Sequence, residues 1–267
     1  MLSPRIIPCL LIRDKGLIKT LNFGNDKYVG DPLNAVKIFN EKSVDELIVL
    51  DIDATANQME PNYELIRHLA IECRMPLCYG GGIKTKEQAI KILGMGVEKI
   101  AISSAAISNP MIINDIAKKV GRQSIVIVLD VKRNKFRNKY SMYTHNGKNK
   151  TDLDPIKFAM KVERIGCGEI LINSIDHDGK MKGYDNKIIH QIRNKTTVPL
   201  TILGGAGSMD DIGRMIEDYG IIGLAAGSLF VFKGKYKAVL INYPDTNEKE
   251  KFIIKKLNSY ETNYSIN

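Results

Sequence analysis

The chain has 267 residues with 39 Lys or Arg and 30 Asp or Glu, which gives a formal net charge of +9 at pH 7. Its 44% hydrophobic and 26% charged residues are typical of a soluble globular protein, and the length fits one large α/β barrel or two small domains. It has no apolar run of membrane-spanning length and no nucleic-acid motif, so we expect no signal peptide and neither a membrane nor a nucleic acid as partner.

Short runs rich in β-branched residues alternate along the chain with amphipathic helical patterns. The predicted strands are Arg5–Ile12, Glu46–Ile52, Pro76–Gly81, Lys99–Ser104, Ser124–Val131, Glu169–Ile175, Pro199–Gly205 and Gly220–Ser228. The predicted helices between them include Pro32–Lys42, Tyr63–Cys73, Lys86–Leu93, Pro110–Val120, Pro155–Ile165 and Met209–Asp218. This alternation implies parallel pairing with right-handed crossovers. Eight units predict an α/β fold of the (βα)8 TIM barrel type, with a doubly wound open sheet as the alternative.

The sequence also contains an internal repeat. Three pairs of landmarks, separated by 125, 124 and 123 residues, are Asp51 with Asp176, Gly80 with Gly204, and Ser104 with Gly227. Matched landmarks at one spacing indicate two fused half-barrels. We expect residues 1–245 to form a single barrel and residues 246–267 a C-terminal helix and tail.

The four cysteines, Cys9, Cys73, Cys78 and Cys167, show neither CxxC spacing nor pairing with histidine. A disulfide framework and a zinc site are therefore not expected. We expect a protein of the reducing cytoplasm with no metal and no cofactor.

Glycine-rich strand ends occur once in each half of the chain. Such ends, followed by helix N-termini, offer backbone N–H groups to a phosphate, although glycines also simply form tight turns. Because the pattern occurs twice, we expect a ligand with a phosphate at each end. The residues are Gly82, Ser103 and Ser104 at one site and Gly204, Gly205, Gly227 and Ser228 at the other.

Carboxylates that end predicted strands are candidates for acid–base chemistry. Asp130 follows a long apolar run and is the candidate catalytic residue, the alternative being an ion pair with Lys132 or Arg133. Overlaying the first strand on the fifth places Leu11 at the position equivalent to Asp130, so the first half of the barrel supplies no second carboxylate there.

Asp51 and Asp176 also follow strands, with Asp178 in the adjoining loop. For Asp51 and Asp176 the alternative role, capping of a loop or helix, is stronger.

A set of motifs spread over nearly the whole chain points to one family. They are Arg5–Ile6–Ile7–x–Cys9–Leu10, Lys19, Asn22–Phe23, Gly30–Asp31–Pro32, Asp45–Glu46–Leu47, Leu50–Asp51–Ile52, Gly80–Gly81–Gly82–Ile83, Asp130–x–Lys132–Arg133, Gly168–Glu169–Ile170–Leu171, Ser174–Ile175–Asp176–x–Asp178–Gly179, Gly183–Tyr184–Asp185 and Gly204–Gly205–Ala206–Gly207. With them the chain resembles the cyclase subunit of imidazole glycerol phosphate synthase. The resemblance implies a barrel whose N-terminal face binds a glutaminase subunit. Ammonia would pass along the barrel axis to a substrate held at the far mouth by two phosphates.

The resemblance also assigns an ammonia gate at the bottom of the barrel. Family members build it from two basic and two acidic side chains, which correspond here to Arg5, Glu46, Lys99 and Glu169. Each of the four begins a predicted strand, which agrees with a position at the N-terminal face. The alternative is a ring of salt bridges that only stabilises the barrel.

The far mouth departs from the family pattern. The family cyclase uses two aspartates as acid and base, at the positions of Leu11 and Asp130, and only Asp130 is present. Further departures are Cys78, Ser103, Asn173 and Leu203. Lys19 and Asp176 are retained, and with the glycine-rich ends they are expected to bind a phosphorylated small molecule.

These departures, together with the stretch Phe232–Pro244, resemble a branch of the family encoded with surface-polysaccharide or flagellar-glycan genes. In that branch the barrel and its glutaminase supply ammonia to a separate sugar amidotransferase, which converts an acetamido into an acetamidino group. We therefore expect an ammonia-channelling synthase subunit. The alternatives are an authentic cyclase, a lyase of histidine biosynthesis forming imidazole glycerol phosphate and AICAR, the related half-repeat isomerase, and a structural or allosteric activator of the glutaminase.

Overall fold

A computed structural model describes residues 3–134 and 138–265 and contains a closed barrel of eight parallel strands. The barrel strands are β1 (Arg5–Arg13), β2 (Leu47–Asp51), β3 (Leu77–Gly80), β4 (Lys99–Ile102), β5 (Ile125–Asn134), β6 (Glu169–Ser174), β7 (Leu200–Leu203) and β8 (Gly223–Ala226). Each strand pairs in parallel with the next, and β8 pairs with β1, which closes the ring. The prediction of a (βα)8 barrel is confirmed.

Within the described residues, eight helices of eight or more residues surround the barrel. They are α1 (Pro32–Glu41), α2 (Tyr63–Glu72), α3 (Lys86–Leu93), α4 (Met111–Val120), α5 (Pro155–Ile165), α6 (Asn186–Arg193), α7 (Met209–Tyr219) and α8 (Thr246–Ser265). Several begin at a side-chain cap that the sequence makes visible, such as Asp31, Thr85 and Ser208. The sequence did not single out α6, which is only eight residues long and has three apolar side chains.

Further elements extend the C-terminal ends of the barrel strands. An antiparallel hairpin of Gly16–Leu21 and Gly24–Gly30, here called the first hairpin, continues from β1. Strands Lys139–Thr144 and Asn149–Lys150 continue from β5, and the pair Phe232–Lys233 and Ala238–Val239 follows β8. Three helices of four or five residues, Ile52–Ala56, Ser104–Ser108 and Ser228–Val231, follow β2, β4 and β8, and a 3-10 turn at Arg122–Ser124 precedes β5.

Strand alternation divides the apolar residues into two clusters. On β1, Ile6, Leu10 and Ile12 point outward and pack with the helices, whereas Ile7 and Cys9 point into the barrel. The interior cluster consists of Ile7, Cys9, Ile48, Cys78, Ala101, Val126, Val128, Leu171, Leu203 and Ala225, with Leu11 and Leu50 packed against it. The barrel therefore has an interior filled by apolar side chains and thiols.

The C-terminal helix α8 packs on the barrel wall. Gly213 of α7 provides the space for Phe252 and Lys256, and Lys256 Nζ lies 2.7 Å from Glu217 Oε1. The segment leading to α8 is anchored by Tyr243, whose hydroxyl donates to the Ile6 carbonyl at 2.8 Å. Residues 266–267 of the expected tail lie outside the described residues. In the described ranges, no helix has the length and apolar composition needed to cross a bilayer.

Candidate active site

The N-terminal end of the barrel holds a ring of opposite charges. Arg5 contacts Glu46 through Nη1 and lies 2.7 Å from Glu169 Oε1 through Nη2. Lys99 Nζ lies 2.9 Å from Glu46 Oε2 and 3.0 Å from Glu169 Oε2. The structure thus brings together all four residues that the sequence assigned to a gate, one from each of four strands or strand starts.

The ring keeps Glu169 charged although this residue is buried. Burial alone would raise the pKa of Glu169, but the charges of Arg5 and Lys99 outweigh it and hold that pKa below its usual value. The pKa of Lys99 is raised, because the attraction of Glu169 and Glu46 exceeds the penalty of burial. Two positive and two negative charges therefore neutralise one another at the bottom of the barrel.

A fifth member of the ring was not predicted. Thr201 of β7 donates its hydroxyl to Glu169 Oε1, and Arg5 Nη2 lies 3.3 Å from its Oγ1. The hydroxyl fits because Gly223 on the neighbouring strand has no Cβ, which would lie 1.9 Å from Thr201 Oγ1. In the sequence Thr201 stands in an apolar strand, and only its alternation with Leu203, which also faces inward, points to the interior.

The opposite end of the barrel opens into a cavity of about 540 Å³. Apolar side chains on its wall include Leu11, Leu50, Val128 and Leu203. Most of the residues that the sequence assigned to a site line this cavity, namely Lys19, Gly82, Ser103, Ser104, Asp130, Gly204, Gly205, Gly227 and Ser228.

Asp176 was predicted to bind the ligand at the mouth, but it does not line the cavity. Its Oδ2 accepts a hydrogen bond from the backbone N–H of Arg133 at 2.7 Å, so it fixes the adjoining loop. Its repeat partner Asp51 lines the cavity but accepts from the N–H groups of Asp53 and Ala54, which caps a short helix. Asp51 thus makes the local capping contact that the sequence left open as its alternative, whereas Asp176 joins its turn to the distant residue Arg133 at the end of β5.

Asp178 lines the cavity where Asp176 does not. Its Oδ2 accepts from Thr20 Oγ1 at 2.7 Å and from the Phe23 N–H at 3.1 Å, and both donors belong to the first hairpin or its turn. Burial raises the pKa of Asp178 more than these hydrogen bonds lower it. Sequence reasoning missed this contact because it joins residues more than 150 positions apart.

Asp130 lies in register with Asn173 on β6, and Asn173 Nδ2 donates to Asp130 Oδ1 at 2.9 Å. Burial raises the pKa of Asp130 to about 7, against the opposing effect of this hydrogen bond. The alternative ion pair is not formed, since Lys132 lies over the ring of Tyr143 and Arg133 donates to Asn138. Asp130 can therefore gain or lose a proton near neutral pH.

The two glycine-rich ends differ in what they offer an anion. Helices Ser104–Ser108 and Ser228–Val231 both begin at the cavity without a side-chain cap, so their first N–H groups are available. At the first end, however, the Gly82 N–H already donates to Thr55 Oγ1 at 3.2 Å. A Cβ on Gly81 would also lie 2.4 Å from the Asp51 carbonyl oxygen, and Gly82 has a φ of 71°, so local structure already favours glycine at both positions.

Lys19 belongs to the second end. Its Nζ lies 2.5 Å from the Cys9 carbonyl, and a Cβ on Gly227 would come within 2.5 Å of that nitrogen. Burial lowers the pKa of Lys19. An anion bound beside it would favour its charged form and satisfy its remaining donors.

We expect Glu169→Gln to destabilise the protein because it leaves Arg5 and Lys99 facing a single carboxylate. The free energy of unfolding should fall by about 3–5 kcal/mol at pH 7. The folded-state pKa of Glu169 is depressed, so its stabilisation is present above the unfolded value of 4.5 and lost as the pH falls below that value. Urea unfolding from pH 7 to pH 3 measures this difference. The exposed neighbour Glu98→Gln is the control, and equal effects of the two variants would contradict the ring's role.

Asp130→Asn should stabilise the protein above neutral pH. The pKa of Asp130 rises from 3.8 to about 7 on folding, so wild-type stability falls as the pH rises between these values. We expect the two proteins to be equally stable near pH 4 and the variant to be more stable by about 4 kcal/mol at pH 8. Thermal or urea unfolding checks this, with the exposed Asp152→Asn as control. A pH-independent difference would show that Asp130 titrates normally.

Comparison with known proteins agrees with this geometry. The family described as "Histidine biosynthesis protein" matches residues 5–237. A protein of Vibrio vulnificus, provisionally named imidazole glycerol phosphate synthase subunit hisF3, is 57% identical over 251 residues, which cover 94% of this chain and 96% of the relative. A provisionally named subunit hisF2 of Pseudomonas aeruginosa is 50% identical and covers 93% and 98%.

A relative with the unqualified name imidazole glycerol phosphate synthase subunit HisF comes from Dehalococcoides mccartyi. It is 37% identical over 236 residues, covering 88% of this chain and 92% of its own length. The chain belongs to the histidine biosynthesis protein family, in its group of imidazole glycerol phosphate synthase subunits HisF.

Proposed function

We propose that this chain is a synthase subunit that receives ammonia from a partner glutaminase at the N-terminal face and conducts it through the barrel. At the far mouth a separate amidotransferase uses the ammonia to form an acetamidino group on a surface-glycan sugar. The observation that carries the proposal is the combination of an intact charged ring with a mouth in which Asp130 of β5 has an apolar counterpart, Leu11, at the equivalent position of β1.

The interior supports conduction of a neutral molecule. Between the ring and the cavity the inward side chains are apolar or thiols, and several are small, such as Cys9, Ala101 and Ala225. An ammonium ion entering this interior would lose its hydration without a partner, whereas uncharged ammonia would lose much less. The ring at the entrance and the apolar interior together favour passage of ammonia over ammonium.

The ring also supports a partner at the N-terminal face. Arg5 keeps 27% of its side chain exposed there, while Glu46 and Glu169 are almost fully buried. The relatives' names describe subunits of a synthase, which agrees with a protein that works in a complex. By analogy with those relatives, the partner we propose is a glutaminase subunit.

The residues at the mouth favour a reaction different from that of the family cyclase. Removing a positioned acid or base typically slows a reaction by about 10²–10⁴-fold. Leu11 stands where the family pattern has such a group. Leu203, on the cavity wall, is a further apolar departure from that pattern. The uncapped helix ends and Lys19 still favour a phosphorylated ligand.

An authentic cyclase that forms imidazole glycerol phosphate and AICAR is the second candidate. Asp130, with a pKa of about 7, favours it, because a group with that pKa serves as an acid or base at neutral pH. A third candidate, an activator of the glutaminase without a channel, is separated from both by blocking the interior.

Cys9→Trp fills the interior of the barrel in the complex with the glutaminase partner. We expect transfer of amide nitrogen from ¹⁵N-glutamine to the sugar product to fall at least tenfold, while glutamine hydrolysis stays activated. Cys9→Ser, which adds no volume, should retain transfer, and circular dichroism checks that both variants fold. Unchanged transfer in the tryptophan variant would favour the activator.

Leu11→Asp tests the mouth without any partner. The protein is incubated at alkaline pH with excess ammonium and the bis-phosphorylated ribulosyl intermediate of histidine biosynthesis. We expect no imidazole glycerol phosphate from the wild-type protein and detectable product from Leu11→Asp, because the variant places a carboxylate on β1 at the position equivalent to Asp130. Product from the wild-type protein would contradict the proposal and assign the chain as a cyclase.

A further inference from the structure

Two columns of inward side chains run from the ring to the cavity. On β6 the column is Glu169, Leu171 and Asn173, because alternate residues of a strand share one face. On the neighbouring β5, Val126 and Val128 lead to Asp130 in the same way. Four residues of strand span about 13 Å, so Asn173 lies one apolar layer above the charged ring.

Asn173 carries a buried acceptor without a donor. Only 6% of the residue is exposed, and its Nδ2 is fixed by the hydrogen bond to Asp130 Oδ1. Its Oδ1 has no hydrogen-bond partner and lies beside Gly204, whose Cβ, if present, would be 3.4 Å away. A buried polar atom left unpaired costs about 1–3 kcal/mol, so this oxygen is arranged for a donor that arrives with a ligand.

The ionisation of Asp130 fixes which end of the amide faces it. Above a pH of about 7 the carboxyl group is ionised and can only accept hydrogen bonds. The amide nitrogen of Asn173 must then point to Asp130, which leaves Oδ1 on the side of Gly204, in a residue that lines the cavity. A ligand at Oδ1 must therefore donate, which excludes a fully ionised phosphate group there.

We propose that Asn173 Oδ1 binds ammonia where the barrel interior opens into the cavity. This inference rests on the proposed function and adds to it a site at which ammonia binds before it reacts. Ammonia is the small donor that an apolar interior would deliver to this point, since its N–H groups match a lone acceptor. Held through one N–H, ammonia keeps its lone pair free to face a substrate in the cavity, beside Asp130.

Side-chain amide NMR of the purified protein tests the proposal without a partner, because the cavity is open at its mouth. Protein labelled with ¹⁵N-asparagine is titrated with ammonium chloride at pH 9, where part of the ammonium is present as ammonia. The side-chain amide signal of Asn173, identified by its loss in Asn173→Leu and by its contacts to Gly204, should shift and saturate. The signal of Asn146, which also lines the cavity, is the internal control.

Two salts decide what causes the shift. Tetramethylammonium chloride has no N–H donor, and potassium chloride reproduces the ionic strength, so neither should move the Asn173 signal. A signal that does not move with ammonia, or that moves equally with either salt, would overturn the proposal. If the Asn173 signal does not respond to ammonia while Cys9→Trp still blocks transfer, the proposed channel is retained and only the binding site at Asn173 is rejected. If ammonia binds but Cys9→Trp does not block transfer, the proposed function fails instead.

Discussion

The mutual neutralisation of four charges at the bottom of the barrel is the constraint on which the rest of the structure depends. Arg5, Glu46, Lys99 and Glu169 come from distant parts of the chain, and none could be buried there without the others. The ring fixes which side chains point inward on these strands. Everything above it follows by alternation, including the apolar layer and the polar groups of the cavity floor.

The two ends of the barrel therefore have opposite chemistry with an apolar layer between them. Charges are paired with each other at the N-terminal end, whereas at the mouth Lys19, Asp130 and Asn173 keep hydrogen-bonding capacity for a ligand. A protein built only for stability would leave both ends satisfied. The contrast is what supports a path with an entrance and a destination.

The fold followed from short-range signals in the sequence, whereas the four ring residues were assigned by the family resemblance, and short-range signals placed them only at the starts of strands. β-branched runs define strands, and a charged residue at the start of such a run must lie at the barrel's N-terminal end. Other features depend on contacts that no local pattern contains. Asp178 rather than Asp176 lines the cavity because the chain turns after Ser174, and Thr201 joins the ring only through the space left by Gly223. The strand Gly24–Gly30 is largely exposed and lacks the alternation that would reveal it.

The first hairpin connects two features that have been described separately. It carries Lys19, whose ammonium group lies at the second glycine-rich end, and it is held over the cavity by Thr20 and Phe23 through Asp178. Any displacement of the hairpin would withdraw Lys19 from that end. An anion that binds more tightly with Lys19 in place would therefore stabilise the hairpin's position by the same free energy with which that position strengthens its binding.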